Sequence, residues 1–123
     1  MLLENKFYRV LSEERREGLS ATYHVAILPE CDVYDGHFPG DPVCPGVCNI
    51  EMIKECSMLL CGETLRYSFI KQCRLTALAT PTASFNVDVV VSLVPNADGY
   101  TLQASIADER QTYMIIKGQL DKA

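Results

Sequence analysis

Tryptophan is absent from the 123 residues and histidine occurs only twice, at positions 24 and 37. No apolar run approaches the roughly 20 residues that a membrane-spanning helix needs. The first residues, MLLENKFYRV, lack the basic segment followed by an apolar one that marks a signal peptide, so a cytoplasmic protein is expected. Basic residues are in the minority, 11 Lys and Arg against 16 Asp and Glu, for a net charge of −5. Nucleic acid is disfavoured as a partner, because binding it depends on clustered cations that neutralise phosphates. The six cysteines lack the close ligand pairs of a structural zinc site. Cys44 and Cys48 are separated by three residues, and no histidine lies near them in a zinc-finger arrangement. With no sign of secretion, disulfides are not expected either. Cys48, Cys56 and Cys61 therefore read as small buried apolar residues, and no metal is expected.

Hydrophobic residues make up 48% of the chain, enough for one core and one domain spanning residues 1–123. Segments 7–11 and 19–28 read as strands, the second alternating Ala21, Tyr23, Val25 and Ile27 with Thr22, His24 and Ala26. His24 is expected on the solvent side. The mixed-charge cluster Glu13 to Glu17, followed by Gly18, reads as a solvated hairpin tip. A helix is expected from about Gly46 to Leu60, stopped by Gly62-Glu63. Strands follow over residues 65–78, 84–94 (Phe85, Val87, Val89, Val91 and Leu93 on one face), 100–106 and 112–120. Turns at Asn96 to Gly99 and at Asp108-Glu109 separate the last three. Two strands, one apolar helix and four strands make an α+β domain in which an antiparallel sheet curls around the helix. A single such sheet leaves open edges, so pairing with a second copy is expected.

Between the second strand and the helix lies YDGHFPGDPVCPGVCNIE, residues 34–51. Proline locks φ and glycine permits positive φ, so this stretch fixes its backbone without forming regular structure. His37 sits inside it, and imidazole is the one nearby side chain suited to proton transfer near neutral pH. A helix opening at Gly46-Val47 presents unpaired N–H groups and a positive dipole end, suited to a developing oxyanion. Glu51, in the second turn, could serve as an acid if apolar neighbours shield it. Base, acid and oxyanion donor suffice to remove a proton beside a carbonyl and expel a β-hydroxyl. Spacing alone leaves a second possibility open: Glu51, Lys54 and Glu55 can share a solvated helix face.

The same stretch resembles the GHFPGxPxxPGVxxxE signature of the β-hydroxyacyl–acyl carrier protein dehydratases of the hot-dog fold. Gly36, His37, Phe38, Pro39, Gly40, Pro42, Pro45, Gly46, Val47 and Glu51 match every specified position. The resemblance implies a sheet wrapped on one long helix and catalysis without metal or cofactor. It implies His37 as the base taking the α-proton of a 3-hydroxyacyl thioester, and Glu51 as the acid protonating the departing hydroxyl. The Gly46 N–H would polarise the thioester carbonyl, with Val47, Phe38 and Pro45 lining the substrate site. It implies an obligatory homodimer, with His and acid of one site on different subunits and an acyl tunnel between them. The substrate would arrive on the phosphopantetheine arm of an acyl carrier protein. The chain departs from the family pattern before Gly18, where no Arg-Phe-Pro loop occurs, and at Thr80 to Ser84, where relatives often carry a Pro-Gly-Asp turn. A hot-dog thioesterase and a non-catalytic acyl-binding subunit of a synthase are the alternatives.

Overall fold

The structure, a computed structural model, describes residues 8–28, 46–76 and 85–123. Its elements run β1 (Tyr8–Arg16), β2 (Leu19–Ile27), α1 (Gly46–Cys61), β3 (Leu65–Leu75), β4 (Phe85–Pro95), β5 (Gly99–Ala107) and β6 (Thr112–Lys122). The six strands form one sheet in the order β1-β2-β4-β5-β6-β3, every neighbouring pair antiparallel. This is the expected succession and the hot-dog architecture.

Alternation accounts for the sheet's inner face. Ala21, Tyr23 and Val25 of β2, Val87, Val89 and Val91 of β4, and Leu102 and Ile106 of β5 all point inward and are buried. Against them α1 buries Cys48, Met52, Ile53, Cys56 and Leu60. Fully burying a side chain such as Ile53 or Met52 contributes about 1.5–3 kcal/mol, so this face dominates the helix's stability. The two strands at opposite ends of the sheet both reach α1. From β1, Tyr8 bonds Glu55 and Arg15 bonds the Leu59 and Leu60 carbonyls; from β3, Tyr67 bonds the Ile50 carbonyl. Contacts from both ends require the sheet to curl around the helix.

One expectation is corrected in β1. The cluster Glu13 to Glu17 is exposed and the turn ends at Gly18 as expected, but only Glu17 of the cluster lies in it, because the strand continues to Arg16. Gly18 takes φ 75°, a left-handed conformation that favours glycine. An edge strand with one partner does not need apolar alternation, and charge along it discourages pairing with other chains. Arg15 also has a local task. No basic residue lies in the last turn of α1. The Arg15 guanidinium, 2.7 Å from Glu13 Oε1, instead donates to Leu59 O at 3.2 Å and Leu60 O at 3.3 Å. It thereby places a cation at the helix's negative end.

The helix stops as expected, one residue later than Leu60. Gly62 adopts φ 73° and its N–H donates to Met58 O at 2.8 Å. β3 follows and forms the other sheet edge. Its pairing with β6 shifts register between Tyr67 and Phe69 and again between Ile70 and Gln72. Phe69, Ile70 and Leu75 lie along this edge 58%, 40% and 48% exposed.

Candidate active site

The site expected from sequence is divided. His37, Phe38 and Pro45 lie outside the described residues. Gly46 and Val47 open α1, and Glu51 follows in its second turn. No acidic residue occupies the first turn, so nothing within the helix offsets the positive end formed by its first N–H groups. That end and the backbone of Glu51 sit on consecutive turns of one rigid element, which fixes the separation of the two backbone positions.

Glu51 is neither fully solvated nor sealed. Its Oε1 lies 2.9 Å from Lys54 Nζ, and the two side chains keep 27% and 20% of their exposure. From the sheet, the Tyr67 hydroxyl donates to the carbonyl of Ile50 at 2.7 Å, tying β3 to the helical turn that carries Glu51. Burial pushes the Tyr67 phenol well above its ordinary pKa, and the negative charge of Glu51 adds to the shift. Tyr67 is therefore a neutral donor at physiological pH. Nothing in the local sequence marked it, since the contact crosses from strand to helix.

The solvated-face reading of this helix surface is overturned. Glu55, one turn beyond Glu51, is 3% exposed and accepts a 3.0 Å hydrogen bond from the Tyr8 hydroxyl. The curled sheet covers more of α1 than a simple apolar stripe would suggest, so polar positions beside the stripe are covered too. Asn49 and Ser57 are buried as well, and the Ser57 hydroxyl bonds back to Ile53 O at 2.8 Å.

The second histidine is where alternation put it, on the outer face of β2. His24 Nδ1 lies 2.5 Å from Asp88 Oδ1 and Nε2 lies 3.5 Å from Glu14 Oε1. The hydrogen bond with Asp88 raises its pKa above the usual histidine value; burial opposes this, and the charge of Asp88 and the contact with Glu14 add to the rise. It stands on the sheet face opposite α1. Among the cysteines, Cys48 and Cys56 are buried as expected, whereas Cys61 is only half-buried at the helix end and Cys73 is exposed on β3. Cys31 and Cys44 lie outside the described residues. Among the described residues, no group of three His, Cys, Asp or Glu side chains is placed to hold a metal ion.

Comparison with known proteins agrees with this architecture. The 3-hydroxyacyl-[acyl-carrier-protein] dehydratase FabZ of Levilactobacillus brevis is 35% identical over 72 residues, covering 53% of this chain and 47% of that protein. FabZ of Haemophilus influenzae is 35% identical over 57 residues, covering 46% of this chain and 37% of that protein. The chain thus spans less than half the length of these curated relatives. Among solved structures, the dehydratase heterocomplex ApeI:P from Xenorhabdus doucetiae superimposes with a TM-score of 0.78 at 20% identity, covering 92% of this chain and 96% of that one. An uncharacterized protein from Erwinia carotovora subsp. atroseptica follows with a TM-score of 0.69 at 16% identity, covering 92% and 94%. Both show the fold. The profile of the ApeI-like family, described as ApeI dehydratase, matches residues 12–115, which take in the loop motif, α1 and most of the sheet. The chain belongs to the ApeI-like dehydratase family of hot-dog proteins.

Proposed function

We propose that this protein dehydrates 3-hydroxyacyl thioesters carried on an acyl carrier protein, giving trans-2-enoyl thioesters, with residues 1–123 acting as a single domain. The observation that carries this reading is the complete GHFPG-x-P-x-x-PGV-x-x-x-E motif leading into α1, with its final carboxyl on a partly shielded turn held from the sheet by Tyr67. In the proposed reaction His37 takes the proton from C2 of the acyl chain, and the electrons of that bond form the C2=C3 double bond. The C3–O bond breaks and Glu51 supplies the proton with which the hydroxyl leaves as water. Both groups then exchange protons with solvent and return to their starting forms. The Gly46 N–H, at the positive end of α1, stabilises the negative charge that develops on the thioester oxygen. Val47, Phe38 and Pro45 are proposed to line the site. No step calls for a metal or cofactor.

The proposed assembly is a homodimer joined along β3. Phe69, Ile70 and Leu75 expose apolar side chains along that edge, beside the exposed Lys71, Gln72 and Arg74, with no further strand next to it among the described residues. An open strand edge carrying exposed apolar side chains invites pairing. A second assembly has support from the likeness in fold to one chain of a dehydratase heterocomplex. In that arrangement a different hot-dog chain would occupy the same edge.

The test is turnover of an enoyl thioester on acyl carrier protein, followed as loss of enoyl absorbance on hydration and its gain in reverse. A dehydratase shows both directions. Release of free thiol instead marks a hot-dog thioesterase. Tight binding of the acylated carrier with neither change marks a non-catalytic acyl-binding subunit.

A further inference from the structure

The motif that ends at Glu51 says nothing about the residue three places on, yet among the described residues the Lys54 side chain is in direct contact with Glu51. The two form an ion pair at 2.9 Å with 20% and 27% side-chain exposure, whereas the surface pair Arg15–Glu13 keeps 54% and 32%. Lysine carries a strongly hydrated ammonium and is seldom buried without a specific partner. A glutamate side chain turns freely about three bonds, so one fixed contact on one oxygen sets the direction of the other. The turn beneath is fixed independently, since Tyr67 holds the Ile50 carbonyl at 2.7 Å.

We propose that Lys54 is a positioning residue: when Glu51 carries its proton on Oε2, the Lys54 ammonium donates to Oε1 and so turns Oε2 and that proton toward the substrate hydroxyl. This assignment rests on the reading of Glu51 as the acid. Lys54 itself need not touch substrate. Its role differs from that of an ordinary i,i+3 surface pair, because its loss acts on turnover through Glu51 and not on folding alone.

The experiment compares Lys54→Met, Lys54→Gln and Lys54→Arg, each alone and in a Glu51→Gln background, by kcat and KM for enoyl-thioester hydration. Lys117→Met, on the opposite face of the sheet, controls for loss of one positive charge. Circular dichroism and thermal melting check folding. The expected result is a fall in kcat of about 10- to 100-fold for Met and Gln, the scale of a misplaced reacting group, with KM little changed. Arg restores most of the rate, and in the Glu51→Gln background none of the three substitutions costs anything further. A folded Lys54→Gln at wild-type kcat beside an inactive Glu51→Gln overturns the assignment alone. So does an equal loss in both backgrounds, which would mean that Lys54 acts by itself. A wild type that turns over no enoyl thioester, or a fully active Glu51→Gln, removes the functional reading and this assignment with it.

Discussion

Tyr8 on β1 donates a 3.0 Å hydrogen bond to Glu55 on α1, and neither side chain keeps more than 3% of its surface in solvent. The bond ties one edge of the sheet to the middle of the helix, in the core and not at the surface. Removing the Tyr8 hydroxyl leaves a buried carboxyl short of a donor, at a cost of about 1–2 kcal/mol. Tyr8→Phe is therefore expected to lower the thermal midpoint by several degrees without altering the far-ultraviolet circular dichroism. Glu55→Gln should also destabilise. An unchanged melting curve for Tyr8→Phe would show that the bond contributes nothing.

The free edge of β3 leads to a prediction about assembly. Phe69 and Ile70 are 58% and 40% exposed on a strand with one sheet neighbour among the described residues. If two copies pair there, the native protein sediments at twice the chain mass of 13.7 kDa. Lysines at both positions place like charges opposite each other across the pair, and Phe69→Lys/Ile70→Lys should sediment as single chains with its secondary structure intact. Because the proposed site needs residues from two subunits, that variant should also lose turnover. A wild type that sediments as a single chain at micromolar concentration sinks both expectations.

The elements legible in the sequence are those with one strong period. β4 and β5 alternate without interruption, and their inner residues Val87 to Leu93 and Tyr100 to Ile106 are all buried. Gly62 and the Asn96 turn were legible for a different reason, because the backbone freedom of glycine and the side-chain amide of asparagine act locally. Asn96 Oδ1 accepts from the N–H groups of Asp98 and Gly99 at 3.2 and 3.0 Å. What escaped depends on distant partners. Glu13 and Arg15 look like a hairpin tip until α1 supplies carbonyls for Arg15 to cap, and Glu55 looks solvated until Tyr8 lies over it. In the candidate site the motif marks Glu51 plainly, whereas Lys54 and Tyr67 emerge only once the helix is docked on the sheet.

His24 gives a dependence of stability on pH. Its hydrogen bond to Asp88 and its proximity to Glu14 raise its pKa in the folded state above the usual value of 6.5. The protonated form is thus favoured by folding, so the contribution is complete below about 6.5, the unfolded-state value, and is lost as pH rises through the higher folded value. With a third of the side chain in solvent, the effect stays within the about 0–1 kcal/mol of exposed ion pairs. The difference in unfolding free energy between wild type and His24→Gln, measured with urea, should be largest near pH 5.5 and shrink toward pH 8.5. A difference that does not change with pH would assign His24 a purely steric role. Catalysis should be untouched, since His24 stands on the face of the sheet away from α1.

The two proposed proton-transfer residues make the most demanding prediction. General acid–base groups typically contribute about 10²–10⁴-fold each, so His37→Ala and Glu51→Gln should each lose at least about 10² in the rate of enoyl-thioester hydration. If they serve one substrate in one sequence of proton transfers, removing the second after the first should cost little. The double variant should be scarcely slower than the slower single one, because groups that act as a unit are not additive. The homodimer adds a further arm, since base and acid of one site are proposed to come from different subunits. Mixing inactive His37→Ala with inactive Glu51→Gln under conditions of subunit exchange should then restore activity, as one site in the mixed dimer regains both groups. Recovery toward one quarter of the wild-type rate is expected for random pairing, in which half the dimers are mixed and each has one intact site. No recovery despite proven exchange would place both groups on one chain, and a folded Glu51→Gln with near-normal turnover would remove Glu51 as the acid.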